Sequence, residues 1–230
     1  MSTRPYNPLE KENLAKSIEL EILGQAPLAL AAVDEIKGAG IYVIYYSGRF
    51  APYASIRSDV TSVTFDQPIY VGKAIPKGGR KGGLTKDSGR GTALRDRLKQ
   101  HATSVDEAEN LKLEDFWVRH LVVDDIWIPL GENMLIESFK PVWNRAIDGF
   151  GNKDPGRRRK TQIRSPWDVL HPGRSFVKKL AESPLTPKLL EERISDYFGG
   201  RPLKKLPRKV EEQIAKDAEE IESAADEAEL

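Results

Sequence analysis

Two side chains that can bind phosphate lie four residues apart in the segment TALRDRLKQHATS, residues 92–104. Arg97 and His101 are separated by about one turn of a helix, and side chains at that spacing share one face. Leu94 and Leu98 have the same spacing and form an apolar stripe beside them. The pattern predicts a helix with a phosphate-binding flank next to its buried seam. The alternative is that Arg97 and His101 are ordinary surface residues.

Glu132 is a carboxylate on the apolar line of a second predicted helix, which runs from Gly131 to about Lys140 and is halted by Pro141. The stripe that includes Leu135 extends back by one turn onto Glu132. Burial of an unpaired carboxylate is costly, so this position requires an open cleft, a cationic partner or a metal ion. The alternative is a capping role at the helix start, where the helix dipole favours an acid.

Two tyrosines occupy short apolar segments that read as strands, GIYVIYY at Gly40–Tyr46 and PIYVGKA at residues 68–74. If these strands pair antiparallel, Tyr42 and Tyr70 come within reach of each other on one face of the sheet. Aromatic residues are common in strands, so the alternative is that both tyrosines are sheet core.

The remaining elements must hold these residues in place. A third strand is predicted at residues 116–123, and the order of elements is then strand, strand, helix, strand, helix. Residues 9–36 have a helical pattern broken at Gly24 and Pro27 and resumed from residue 29 to residue 36. Residues 47–67 form an insertion longer than a hairpin needs, so we expect it to be structured.

The C-terminal half carries one further clear helix signal, at residues 186–198. Thr186 is a good N-cap, and Pro187 follows it at the first helical position. Leu190, Ile194 and Tyr197 share one face of this helix.

Composition excludes several classes of protein. The chain of 230 residues is 39% apolar, enough for a core, and contains no cysteine. Disulfides, thiolate zinc sites and cysteine nucleophiles are therefore excluded, and the composition fits a reducing compartment. The N-terminus lacks the apolar segment of a signal peptide, and the longest apolar run, residues 26–33, is too short to span a bilayer. We expect a soluble cytoplasmic protein with no membrane partner.

Charge is distributed unevenly along the chain. The net charge is +1, yet residues 211–230 contain nine acidic residues and one lysine, so the rest of the chain is strongly basic. Residues 77–91, KGGRKGGLTKDSGRG, combine six glycines with five basic residues, including Arg80 and Arg90. Such a segment can follow a phosphate backbone, and the alternative is a solvated loop. The spacing of a nucleotide-binding P-loop is absent.

Taken together, the motifs resemble the GIY-YIG nuclease superfamily. GIY stands at residues 40–42, YVG replaces YIG at residues 70–72, and the helix arginine, the glutamate and an asparagine stand at Arg97, Glu132 and Asn144. The two tyrosines are farther apart than in most of the superfamily. That insertion, with LRDRLKQH, KPVWN, DGFGN and WDVLHPGR, resembles the type II restriction endonucleases that cut the palindrome CCGCGG, as far as about residue 198.

The resemblance implies an α/β (α+β) fold with a small three-stranded antiparallel sheet flanked by helices, and helical and loop extensions at both ends. We expect an N-terminal helical arm (1–36), a catalytic core (37–150), a basic DNA-recognition extension (151–200) and an acidic tail (201–230), which lies outside the resemblance.

The resemblance also implies roles in metal-dependent hydrolysis of DNA. Glu132 would hold one Mg²⁺ that keeps most of its waters. Tyr42 would take the proton of the attacking water, helped by a nearby cation for which Lys73 is a candidate. His101 would act as a relay or as an alternative base, and Arg97 would clamp the phosphate.

Tyr70 and Asn144 would position the phosphate and brace the site. Arginine binding to guanine is the commonest specific base contact. The expected recognition surface therefore consists of Arg157, Arg158, Arg159, Arg164 and Arg174, with Arg80 and Arg90 contacting phosphates. A palindromic site in double-stranded DNA implies a homodimer.

Two other functions are compatible with the sequence. One is a repair or homing nuclease of the same superfamily, which would cut a different kind of DNA. The other is a DNA-binding module without catalysis, which is disfavoured because every expected polar position is filled.

Overall fold

A computed structural model describes residues 7, 10–75, 89, 91–152, 154 and 162–227, with side chains as far as residue 217. Within these residues there are seven α-helices and four strands. The strands are β1 (Leu28–Ala29), β2 (Gly40–Tyr46), β3 (Tyr70–Ala74) and β4 (Phe116–Val122). The helices are α1 (Lys11–Gly24), α2 (Ala93–Asp106), α3 (Ile128–Phe139), α4 (Val142–Arg145), α5 (Pro166–Leu170), α6 (Pro187–Phe198) and α7 (Arg208–Glu227).

The strands form one antiparallel sheet in the order β1-β4-β2-β3. In the pairing of β2 with β3, Tyr42 lies opposite Gly72 and Ile44 lies opposite Tyr70. Tyr42 and Tyr70 are therefore diagonal neighbours on the same face of the sheet. The register brings together the two tyrosines that the sequence singles out.

Strand β2 is buried on both faces, which explains its continuous run of apolar residues. Tyr42, Ile44 and Tyr46 belong to a large core that also contains residues of α2, α4, α5 and α6. The alternate residues face a smaller core, where Ile22 of α1 and Leu135 of α3 are buried. Helices thus cover both sides of the strand that carries the first tyrosine.

The sheet differs from the three-stranded prediction because it has a fourth strand, β1. Leu28 and Ala29 pair with Val118 and Trp117 of β4, and the amide of Leu30 donates to the carbonyl of Phe116. The prediction that the helix resumes from residue 29 to residue 36 is therefore wrong. Pairing with the edge of β4 satisfies this backbone in place of a helix, so tertiary contacts override a weak local preference.

The other elements lie close to their predicted places. Helix α3 begins at Ile128, three residues before the predicted start, because Pro129 fits the first turn, where its missing N–H costs no hydrogen bond. Thr186 caps α6 as predicted, since its hydroxyl accepts from the amide of Leu189 at 3.3 Å.

The long insertion joins the core to the C-terminal extension. It contains a short 3-10 helix, Ala51–Ile56, whose Tyr53 is fully buried. The Tyr53 hydroxyl lies 2.7 Å from Nε2 of His171 and accepts from Trp143 Nε1 at 2.8 Å. His171 Nδ1 in turn lies 2.8 Å from the side-chain oxygen of Asn110. This buried network ties the insertion to α4 and to the segment after α5.

The acidic tail begins as a docked helix. Val210 of α7 is buried, and Ile214 packs against the large core. Asp217 accepts a hydrogen bond from Asn152 Nδ2 at 2.8 Å and another from Gln162 at 3.3 Å. The first half of α7 therefore lies against the loop that follows α4. In the part of the chain that the structure describes, no helix is both long and apolar enough to cross a membrane.

Candidate active site

A buried hydrogen bond between Tyr42 and His101 lies at the centre of the site. The phenol oxygen is 2.7 Å from His101 Nε2, and both side chains are almost completely buried. Strand β2 supplies the phenol, and α2 presents the imidazole from the turn after Leu98. Burial raises the pKa of Tyr42, and the positive charge of Arg97 opposes that rise. The phenol is thus kept neutral beside a potential proton acceptor.

Tyr70 completes an aromatic triangle around this pair. Its ring centroid lies 6.4 Å from that of Tyr42 and 5.3 Å from that of His101. Burial raises the pKa of Tyr70, again opposed by the charge of Arg97. The two motif tyrosines therefore face the same guanidinium.

Gly72 provides the space in which the Tyr42 hydroxyl lies. A Cβ atom at this position would be 2.4 Å from the hydroxyl oxygen and 2.6 Å from the ring carbon that bears it. Those distances are far below van der Waals contact. The glycine of the YVG motif is thus required by packing across the two strands.

Arg97 is held at two of its nitrogens. Nη2 donates to the carbonyl of Gly151 at 2.9 Å, and Nη1 donates to Gln100 Oε1 at 3.1 Å. A Cβ atom on Gly151 would be 3.0 Å from the Tyr70 hydroxyl and 3.2 Å from Arg97 Nη2. The absence of a side chain at Gly151 lets the loop approach both groups closely.

Glu132 forms an ion pair with Lys73 at 2.8 Å. The Glu132 side chain is 15% exposed and that of Lys73 is 32% exposed. Lys73 lies opposite Ile41 in the β2-β3 register, so it faces α3 rather than α2. The negative charge of Glu132 still acts on the phenols of Tyr42 and Tyr70, where it adds to the effect of burial in raising their pKa values. The carboxylate therefore lies across the edge strand from the tyrosines.

Glu132 fits the role of a single carboxylate ligand. Among the described residues, no three His, Cys, Asp or Glu side chains converge as a metal cluster. The ion pair shows that the largely buried carboxylate is in a place where positive charge is stabilised. Mg²⁺ commonly binds through one or two carboxylates and keeps several waters. The donor set thus matches Mg²⁺ better than a metal that needs a protein cage.

Asn144 binds the backbone of the edge strand. Its Nδ2 donates to the Val71 carbonyl at 2.9 Å, and its Oδ1 accepts from the Val71 amide at 2.8 Å. Strand β3 is at the edge of the sheet, so the side-chain amide of Asn144 takes the place of a neighbouring strand. Asn144 therefore fixes the backbone next to Tyr70.

The arginines expected to contact DNA are distributed differently. Arg80, Arg90, Arg157, Arg158 and Arg159 lie outside the described residues. Arg164 is partly exposed, and its buried Nε has no hydrogen-bond partner in the described part of the chain.

Arg174 is not on the surface. Its guanidinium has no exposed area and is paired with Asp168 at 2.6 Å. A guanidinium with no exposed area has no surface with which to contact a base, so the prediction that Arg174 reads guanine is wrong.

Sequence reasoning singled out the motif DGFGN only as part of the resemblance and assigned no role to its residues. These residues, 148–152, line a cavity of about 150 Å³ beside Tyr70 and Asn144. Burial raises the pKa of Asp148 to about 6, although the charge of Arg193 opposes the rise. Phe150 stacks on His101 with ring centroids 4.5 Å apart. The two glycines and the aromatic residue of this motif were the sequence features that could have indicated its place in the site.

One family model, described as the Eco29kI GIY-YIG domain, matches residues 34–198. The match covers every residue of the site described above and ends where α6 ends. The chain matches none of the curated proteins compared with it. The matched segment includes both tyrosine strands, α2, α3 and the extension through Arg174. The chain therefore belongs to the Eco29kI GIY-YIG family, a family of restriction endonucleases.

Proposed function

We propose that this protein is a type II restriction endonuclease that uses Mg²⁺ to cut both strands of DNA at a GC-rich palindrome, CCGCGG. The observation that carries the proposal is the Tyr42–His101 hydrogen bond, flanked by Tyr70 and Arg97. This bond lies within the segment that matches the restriction endonuclease family. Phosphodiester hydrolysis needs an activated water and positive charge at the phosphate. The site offers groups for both tasks.

Proton transfer is assigned to Tyr42 and His101. A phenol whose pKa is raised by burial is unsuited to ionise by itself before the reaction. The 2.7 Å contact allows Tyr42 to take a proton from the attacking water while its own proton moves to Nε2 of His101. This division makes His101 the final proton acceptor and Tyr42 the group that contacts the water.

Phosphate binding is assigned to Arg97, with Tyr70 beside it. Gly151 and Gln100 hold two nitrogens of the guanidinium, and its charge acts on both phenols. A guanidinium that is fixed in this way loses little conformational freedom when it binds phosphate. These contacts support the proposal that Arg97 clamps a phosphate beside the group that activates water.

Glu132 would hold the Mg²⁺ ion, and its ion pair with Lys73 would keep the carboxylate oriented when the ion is absent. When bound, Mg²⁺ supplies positive charge to the phosphate and to the leaving oxygen. Asn144 keeps the edge strand rigid between Glu132 and Tyr70.

Recognition of a palindrome supports a homodimer, with each subunit cutting one strand. The basic part of the chain supports binding to the phosphate backbone. Arg157, Arg158, Arg159 and Arg164 remain the proposed contacts to guanine, and Arg80 and Arg90 the proposed contacts to phosphate. The absence of cysteine is compatible with a cytoplasmic location.

Digestion of a plasmid of known sequence, with Mg²⁺ or with a chelator, tests the proposal. We expect discrete fragments whose sequenced ends fall within CCGCGG, and only when Mg²⁺ is present. Nicks that follow DNA structure instead would indicate a repair-type nuclease. The absence of any cleavage would contradict the proposed activity.

The metal role is tested with a matched pair of variants on helix α3. Glu132→Ala should abolish cleavage and leave DNA binding in place. Glu137→Ala removes a carboxylate that is 73% exposed and paired with Arg145 at the surface, so it should cut like the wild type. Cleavage by Glu132→Ala at the rate of Glu137→Ala would remove Glu132 from the metal site.

A further inference from the structure

We propose that Arg174 is a positioning residue that holds the loop 148–152 against the catalytic pair, so that Arg97 and His101 keep their orientation. The inference rests on the proposed function, because it assigns a role within the same site. Arg174 itself lies away from the reacting groups and acts through the loop. Arg174 lies in the protein interior, although the basic charge of its segment suggests contact with DNA.

The guanidinium of Arg174 binds three carbonyls of one short loop. Nη2 donates to Gly149 at 2.9 Å, and Nη1 donates to Phe150 at 3.2 Å and to Asn152 at 3.3 Å. Nε donates to Asp168 Oδ1 at 2.7 Å. One side chain thus satisfies the carbonyls of a loop that has no regular structure.

The buried charge of Arg174 is paired with one carboxylate and flanked by two aromatic rings. Asp168 is 2% exposed, and its other oxygen accepts from the Ser165 hydroxyl at 2.6 Å. The guanidinium carbon lies 4.6 Å from the ring centroid of Trp167 and 4.8 Å from that of Phe176. A buried arginine with an ion pair, several hydrogen bonds and two aromatic faces is rigidly fixed.

The loop contacts both Arg97 and His101, so a fixed loop holds these two side chains in place. The carbonyl of Gly151 accepts from Arg97 Nη2 at 2.9 Å. The ring of Phe150 stacks on His101 at 4.5 Å with an interplanar angle of 17°. A small displacement of the loop would therefore change the orientation of the proposed phosphate clamp and that of the proposed proton acceptor together.

Lysine is unable to replace this arginine. A lysine ammonium has three donors around one atom, whereas the guanidinium presents five in a planar fork. The four acceptors of Arg174 are distributed around that fork. Arg174→Lys keeps the charge opposite Asp168 and loses part of the hold on the loop.

Arg119 provides a matched control. It is also a buried arginine, and it donates to the carbonyls of Gln25 and Phe65 and to the Tyr45 hydroxyl. Its guanidinium also lies over aromatic rings, those of Tyr45 and Phe65. Tyr45 and Phe65 belong to the core on the other face of the sheet from Tyr42. Arg119→Lys therefore makes the same change to a buried arginine at a position away from the loop.

The experiment compares Arg174→Lys, Arg119→Lys and the wild type in single-turnover cleavage of a CCGCGG duplex with Mg²⁺, and in binding of the same duplex with Ca²⁺. We expect the cleavage rate of Arg174→Lys to fall by about tenfold to a hundredfold, the range typical of a lost positioning contact. Its DNA affinity should remain within about twofold of the wild type. Arg119→Lys should keep both values. Equal cleavage rates, or a loss of binding that matches the loss of rate, would overturn the positioning role.

The NMR signals of the His101 ring give a readout that does not depend on cleavage. The chain has three histidines, so the ring signals are simple to assign. Arg174→Lys should shift the His101 signals, and Arg119→Lys should leave them in place. Unchanged His101 signals in Arg174→Lys would overturn the inference even if the wild type cuts no DNA, a result that by itself contradicts only the proposed function.

Asp168→Asn covers the possibility that Arg174→Lys does not fold, as shown by loss of its thermal transition. The substitution keeps the shape of the side chain, replaces the ion pair with a neutral hydrogen bond from Arg174, and lets the new amide NH₂ donate to the Ser165 hydroxyl. We expect a smaller loss of cleavage rate, about threefold to tenfold, with the same shift of the His101 signals. A wild-type rate together with unchanged signals in Asp168→Asn would overturn the positioning role.

Discussion

Replacement of Gly72 by alanine should disable the site without replacing any side chain that takes part in the reaction. The new Cβ would lie 2.4 Å from the Tyr42 hydroxyl oxygen and 2.6 to 2.9 Å from two ring carbons. The Tyr42 ring is completely buried and packs in the large core, so its movement would disturb the packing of that core. Inserting a methyl group into a packed core costs about 1 to 3 kcal/mol. We expect the free energy of unfolding to fall by that amount.

Activity should fall much more than stability. Movement of the phenol by even one ångström would break the 2.7 Å contact with His101 Nε2, and misplacement on that scale costs about a hundredfold in rate. The expected result is a folded protein that binds DNA and cuts it about a hundred times more slowly. Thermal unfolding and single-turnover cleavage measure the two effects separately.

Gly24→Ala is the matched control for this substitution. Gly24 is the last residue of α1, and a Cβ atom there would have no neighbour within 4 Å. Alanine at such a position is neutral or stabilises by less than about 1 kcal/mol. The reasoning would be refuted if Gly72→Ala cut DNA as fast as Gly24→Ala, because the Tyr42 hydroxyl would then not need its present position.

Three further predictions concern the clamp, the buried histidine and the tail. Arg97→Lys should slow cleavage by about a hundredfold or more in a single-turnover assay while the melting temperature changes little, and an unchanged rate would exclude the clamp. Burial, aided by the charge of Arg174, lowers the pKa of His171 to about 3. At acid pH the unfolded chain therefore binds a proton at His171 that the folded chain does not bind. Lowering the pH from about 6.5 to 4.5 should reduce the free energy of unfolding, measured with denaturant, by about 2 to 3 kcal/mol. His171→Gln should show a smaller loss over that pH range, and an equal loss would contradict the assignment. Val210→Ala should lower the free energy of unfolding by about 2 kcal/mol, and no change would mean that α7 is not docked.

Local patterns were sufficient to predict the elements that carry the site. The apolar run of β2, the paired spacings around Arg97 and His101, and the Thr186-Pro187 start of α6 all depend on neighbours within a few residues, and the structure has each element in its predicted place. Strand β1 was missed because two residues carry too little periodicity to compete with a helical pattern.

Long-range contacts explain what the sequence did not predict. Arg174 lies among basic residues in the chain, yet its partners include carbonyls 22 to 25 residues away. Asn144 hydrogen-bonds to Val71, 73 residues earlier. Burial of a charged side chain depends on such partners, and composition alone indicates only that the segment is basic.

The most direct test of the catalytic assignment is the single-turnover rate at which Tyr42→Phe cuts a CCGCGG duplex in the presence of Mg²⁺, relative to the wild type. The substitution removes one oxygen and keeps the ring that fills the core. If Tyr42 takes the proton of water and passes its own to His101, the rate should fall by about a hundredfold to ten-thousandfold with DNA binding retained. A Tyr42→Phe protein that cuts at the wild-type rate would contradict the account.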